Sequence, residues 1–170
     1  SEKKLCPEFA FDEVIPEVVA GRVGAGLVIH EGQITFGQAG LRQVVDLGAW
    51  WRRTRLLPLP LGINAVKADL DARFGPGSLA EVAALLRASL AYALAHREES
   101  TAYTVPFARR NAARSGTAEL TPEGLDRYLD MYVTGLTQDL GAVGRRAIER
   151  FLAEGASAGL CPAVDVLRVV

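Results

Sequence analysis

The sequence predicts an α/β fold in which the first third mixes short helices with buried strands and the remainder is mostly helical. Three observations point there. A short helical pattern over 12–20 runs straight into a continuous apolar stretch, "AGLVIH" (Ala25–His30), and helix-then-buried-strand is the rhythm of α/β chains. Pro58 and Pro60, at alternate positions in "LLPLPLGINAV", forbid a helix and mark an extended segment. From Ser78 onward apolar residues recur at helical spacing.

The first helix is expected to take Asp12 as its N-cap and to tolerate Pro16 near its first turn, where a missing N–H does no harm. Val14, Ile15, Val18 and Val19 form its apolar face, and Gly21 is a fitting terminator. "AGLVIH" then reads as a strand buried on both faces, and "LRQVVDLG" (41–48) as a second short strand. The proline-rich stretch, entered through Arg52, Arg53 and Arg55, is the candidate hinge between two lobes. "SLAE" has the form of a capping box, Ser78 with Glu81 three residues on. It opens a helix whose stripe of Leu79, Val82, Leu86, Leu90, Ala93 and Leu94 continues to about His96. "HREESTAYTVPFARRNAARS" is expected to be helical in parts, interrupted near Pro106. Thr121 as N-cap with Pro122 at the first helical position starts the next helix. The last helix ends around Gly155 to Gly159, and "AVDVLRVV" is a closing strand. The expected division is 1–57 as a partial α/β lobe, 58–66 as the crossing segment and 67–170 as a mostly helical part.

Composition bounds the function class. The chain has 170 residues, 49% hydrophobic and 23% charged, enough for one ordinary domain with a sizeable core. Its net charge of −1 provides no general attraction to nucleic acid or to an anionic membrane. No uninterrupted apolar run approaches the roughly 18 residues of a membrane span. "SEKKLCPEF" is basic with no apolar segment behind it, unlike a secretory signal. Cys6 and Cys161 are far apart and outside any CxxC, so the chain reads as reduced, soluble and cytoplasmic.

Most candidate motifs fail on context. "GASAG" (Gly155–Gly159) fits G-x-S-x-G, but a helix precedes it and both histidines lie upstream, whereas a nucleophile elbow needs a strand before it and a histidine after. "GRVGAG" lacks the G-x-G-x-x-G order and comes before a strand rather than after one. His30 and His96 are distant and neither lies in a metal-ligand spacing. The arginines at 52–55, 109–114 and 145–146 read as solvated surface, and Trp50-Trp51 as core packing. There remains His30, at the end of an apolar run. An imidazole titrates near neutrality, and ligands of open α/β sheets bind beyond the carboxyl ends of strands. It is the candidate proton-transfer residue, with a purely structural histidine as the alternative.

Three motifs together, Val23 to Phe36, Asp46 to Trp51 ("DLGAWW") and Leu57 to Gly62 ("LPLPLG"), resemble the menaquinone-biosynthesis family of the futalosine route, in its naphthoate-forming branch. The resemblance covers nearly the whole chain and implies a two-lobed α/β fold of the periplasmic-binding-protein-like (type II) kind, here without its N-terminal part. It implies a lyase that converts cyclic dehypoxanthine futalosine to 1,4-dihydroxy-6-naphthoate with release of dihydroxyacetone, using no metal or organic cofactor. The family's presumed base falls on His30. Alternatives within the same fold are a non-catalytic small-molecule-binding module and the related chorismate dehydratase. This chain departs from the family pattern at Gly24, Gly32 and Gln33, where Asp, Ser and Arg are usual, and at Arg55-Leu56, where Thr-Gly is common. An N-terminal lobe with a threonine-rich turn is also expected and is not in this sequence. The chain alone is therefore expected to be inactive or nearly so. Its expected partners are a small-molecule substrate and either a separate N-terminal lobe or a second copy.

Overall fold

The computed structural model describes residues 7–116, 118–164 and 167–169. Among these every regular element is a helix. In chain order they are α1 (Val14–Val19), α2 (Gly32–Thr35) with a 3-10 turn behind it (Phe36–Ala39), α3 (Leu47–Arg55), α4 (Leu70–Phe74), α5 (Ser78–Ala95), α6 (Arg97–Ser115), α7 (Pro122–Tyr132), α8 (Gly135–Gln138) and α9 (Gly141–Ser157). The chain divides into two units: the part up to Gln43 with Arg97–Tyr132, and Val44–His96 with Val133 onward.

In the first unit α6 packs against both α1 and α7, and the 3-10 turn packs on α1. Ile15, Ala108, Ala112 and Leu125 are its buried apolar residues. α6 runs without a break through Pro106, contrary to the expected interruption. A proline deletes one donor and crowds one carbonyl, and flanking helices that bury its neighbours can hold the helix together across that defect. The N-cap of α1 is Glu13 rather than Asp12, with no side-chain cap bond. Asp12 is instead 4% exposed, and its Oδ2 meets Arg114 Nε at 2.6 Å. Gly21, at φ 70°, ends the α1 region as expected. α7 starts as its sequence signals, with the Gly124 N–H donating to Thr121 Oγ1 at 3.1 Å.

The two strands expected in the first 50 residues do not form. Residues 25–29 are neither helix nor paired strand, and Leu27 and Ile29 stay open to solvent. An apolar run becomes a strand only when a second segment supplies the ladder, and none among the described residues does. Instead the run folds back over α1 and α2. A Cβ on Gly32 would stand 2.5 Å from Val28 Cγ1 and 3.3 Å from Ile15 Cδ1, so glycine at 32 is what lets that approach occur.

In the second unit, Asp46 explains why 41–48 is not a strand. Its carboxylate accepts the Ala49 N–H at 2.8 Å, capping α3. Trp51 is 5% exposed, with its ring 5.5 Å from that of Phe151. The Arg55 guanidinium lies 5.4 Å from the Trp51 ring centroid and forks onto Glu154 at 2.6 and 2.8 Å. Arg150 shares the same carboxylate at 2.6 Å. Ala147 and Ile148 bury the inner face of α9.

The expected Ser78–Glu81 box at the head of α5 is absent, because α4 does its work. The Asp71 carboxylate accepts the Leu79 N–H at 2.8 Å, while Ser78 Oγ donates back to the Gly75 carbonyl. α5 has no fully buried residue. By length and composition it could cross a membrane, though it carries Glu81 and Arg87. Residues 58–67 are neither helix nor strand, as the alternating prolines require. Ser157 sits in the last turn of α9, so "GASAG" is a helix end and no nucleophile elbow. The expected closing strand falls partly on Asp165, Val166 and Val170, outside the described residues. Ala163, Val164 and Leu167–Val169 show no strand. Cys6 likewise lies outside the described residues.

Candidate active site

His30 stands at the junction between the extended run and α2, half-buried and with φ 55°. A β-carbon makes that left-handed conformation costly, so something must hold it. The holder is α7. The His30 main-chain N–H donates to Tyr132 Oη at 2.8 Å, and Gln33 Nε2 donates to the same oxygen at 2.6 Å. The imidazole is flanked by aromatic rings. Phe11 lies 4.7 Å away between centroids, and Tyr132 stacks at 6.1 Å and 19°. Tyr128 Oη is 3.3 Å from Nδ1.

α7 delivers both phenols because they are four residues apart, on one face of the helix. Leu125, one turn earlier and buried, turns that face inward. Burial pushes the Tyr128 phenol up to about 12, helped by the negative charge of Glu31 and by Tyr132. At neutral pH Tyr128 is therefore an uncharged phenol. Glu31, next to His30 in sequence, is not bonded to it. Its Oε1 accepts from Asn111 Nδ2 at 3.3 Å, which ties α6 to the start of α2.

The chemical capacity of the site is that of an imidazole beside a neutral phenol, able to take a proton and return it. His30, singled out from sequence, is at the centre. Tyr128, Tyr132 and Asn111 were missed, and Gln33 was noted only for its departure from a pattern. The i, i+4 tyrosines of "RYLDMY" were the available signal, but nothing local says they meet a residue about a hundred positions earlier. His96, the other histidine, lies elsewhere, stacked on Tyr92 with Nδ1 2.9 Å from the Tyr92 carbonyl.

Comparison with known proteins supplies the context. The menaquinone biosynthesis family model matches residues 3–157. A 1,4-dihydroxy-6-naphthoate synthase of Thermus thermophilus is 40% identical over 153 residues, covering 90% of this chain and 52% of that protein. The synthase of the same name from Streptomyces coelicolor is 36% identical over 154 residues, covering 91% and 50%. A crystal structure of a protein from Archaeoglobus fulgidus superposes with a TM-score of 0.72 at 32% identity, over 91% of this chain and 53% of that one. The chain thus spans about half the length of the curated relatives it matches.

Proposed function

Because the chain belongs to the menaquinone biosynthesis family, we propose that it supplies the base-bearing part of a 1,4-dihydroxy-6-naphthoate synthase. The proposed reaction is that of a carbon–carbon lyase, taking cyclic dehypoxanthine futalosine to 1,4-dihydroxy-6-naphthoate with loss of dihydroxyacetone. His30 is the proposed proton-transfer residue. The supporting observation is its setting: a half-buried imidazole, with a phenol at one nitrogen, on a backbone conformation kept against its own preference. A histidine that only filled space would need neither device.

The proposed partner is a polypeptide equivalent to the unmatched half of the relatives, completing a two-lobed α/β fold in which 58–66 is the crossing segment. The exposed surface supports this. Large apolar side chains are left open to solvent, including Leu85, Leu86 and Tyr92 on α5. Proton transfer by a base without its substrate cradle is weak, since orientation supplies on the order of 7–11 kcal/mol of barrier reduction.

The test supplies cyclic dehypoxanthine futalosine to the chain alone, to the chain with the unmatched half of a relative, and to that pair carrying His30→Ala. Naphthoate release, followed by chromatography and mass spectrometry, is expected only from the complete pair. It should fall roughly a hundredfold or more in the variant. An undiminished rate in the variant removes His30 from the chemistry. Substrate bound without turnover by the complete wild type makes this a binding module.

A further inference from the structure

We propose that Ala25–Ile29 is an acceptor strand: an extended apolar segment of the polypeptide that completes this chain pairs along its open main-chain edge and covers Leu27 and Ile29. The identity of that polypeptide, the unmatched half of the relatives, rests on the function proposed above, whereas the open state of the run does not.

The run has the side-chain pattern of a strand but no ladder. Gly26 and Val28 turn inward. A Cβ on Gly26 would run into Val14 Cγ1 and stand 3.1 Å from Val18 Cγ2, so the main chain lies directly on α1, and Val28 Cγ1 reaches the Gly32 position at the head of α2. Leu27 and Ile29 turn the other way, 67% and 39% exposed. Alternation of that kind, every second residue on one face, is the mark of an extended pleated backbone. Yet no main-chain N–H or C=O of residues 25–29 is hydrogen-bonded among the described residues. The first bond after the run is that of the His30 N–H. In the lone chain water serves those groups. A strand added along the edge serves them in one register, and its alternate side chains decide which segment fits. Here the face to be fitted is apolar.

The occupant follows from length. The two curated relatives carry about as much chain again outside the matched part, 52% and 50% of each being covered. No strand occurs among the described residues, so the ladder comes from that unmatched part. Its effect reaches the site. His30 follows Ile29 directly, so a ladder through residue 29 adds a second anchor beside the Tyr132 phenol.

Hydrogen exchange read at single-amide resolution tests this on the whole chain, by itself and co-expressed with the unmatched half of the Thermus thermophilus synthase. In the lone chain the amides of residues 25–29 should exchange as those of an open peptide do. In the complex, those that face an added strand should slow roughly fivefold or more, the worth of about one net hydrogen bond. Successive N–H groups point to opposite edges, so one added strand slows alternate amides and strands on both edges slow them all. Leu27→Asp should leave the amide spectrum of the lone chain dispersed, because that side chain is in solvent. It should weaken the complex roughly tenfold or more, because the complex buries the charge. Amides of 25–29 that exchange as fast in the complex as in the lone chain overturn the proposal, and so does a complex indifferent to Leu27→Asp. Slowing already present in the lone chain also overturns it, and growth of that slowing with concentration names a second copy as the occupant. Naphthoate release separates this result from the function: turnover with an open run sinks only the strand, and a protected run without turnover sinks only the reaction. Halves that do not associate end both.

Discussion

His30 and Leu56 share a left-handed backbone that side chains with a β-carbon avoid, at φ 55° and 56°, and they do so on different terms. His30 is held by the Tyr132 phenol. Leu56 closes α3, where its N–H bonds to the Arg52 carbonyl, and its side chain is 85% exposed. That closing position is one at which glycine is the usual solution, and the resemblance placed glycine there in the family. Leu56→Gly should therefore stabilise the chain by roughly 0.5–1 kcal/mol, the left-handed penalty less glycine's greater unfolded-state entropy. A higher urea midpoint at unchanged slope would show it, and a lower midpoint would mean that Leu56 packs in solution. Gly32 is the converse case. Read from sequence it was a departure from the family pattern, where Ser is usual, and the structure gives it a packing reason, the close approach of Val28 and Ile15.

At the scale of elements, signals that act within one turn were legible. Thr121 and Pro122 start α7, Gly21 ends the α1 region, and α9 stops at Ser157 with Gly159 at φ 69°. Signals that reach further were misread. The Ser78–Glu81 box lost to Asp71, which lies eight residues before the N–H it accepts. "LRQVVDLG" looked like a strand because its apolar pair outweighed Asp46, whose carboxylate is a helix cap. The link between α3 and α9 yields a pH dependence. Arg55 and Arg150 hold the Glu154 carboxyl at about 2, below its ordinary 4.5. A depressed carboxylate contributes stability that is complete above about 4.5 and lost as pH falls through that range toward 2. Its side chain is 30% exposed and the pair is solvent-screened, so the contribution is small. Comparing urea midpoints of the wild type and Glu154→Gln, the wild-type advantage should shrink between pH 4.5 and 2. A gap that stays constant across that window would show that the carboxylate charge is not what Arg55 stabilises.

For the whole molecule, uncovered apolar surface is the dominant property. Among the described residues seven apolar ones are buried, whereas Leu27, Leu61, Leu85, Val44 and Phe74 are each more than 60% exposed. Large apolar side chains left open in each unit are what the proposed protein partner would cover. The isolated chain should bind an apolar-surface dye strongly, and adding the unmatched half of a relative should displace most of that dye as a one-to-one complex forms. Self-association that covers the same surface would instead favour a second copy, and unchanged dye binding would rule out both.

By itself the sequence determined the family, through three short motifs in order, and the positions of helices whose caps and terminators lie within a few residues. It also singled out His30, because a histidine closing an apolar run is a local anomaly. The tertiary structure alone decided what surrounds that histidine. Its phenol partners lie 98 and 102 residues away, beyond the range of capping, turn chemistry or periodicity. It also decided that Ala25–Ile29 is not a strand. An apolar pattern states what a segment can bury, but a ladder needs a second segment, and whether one is present is a property of the fold.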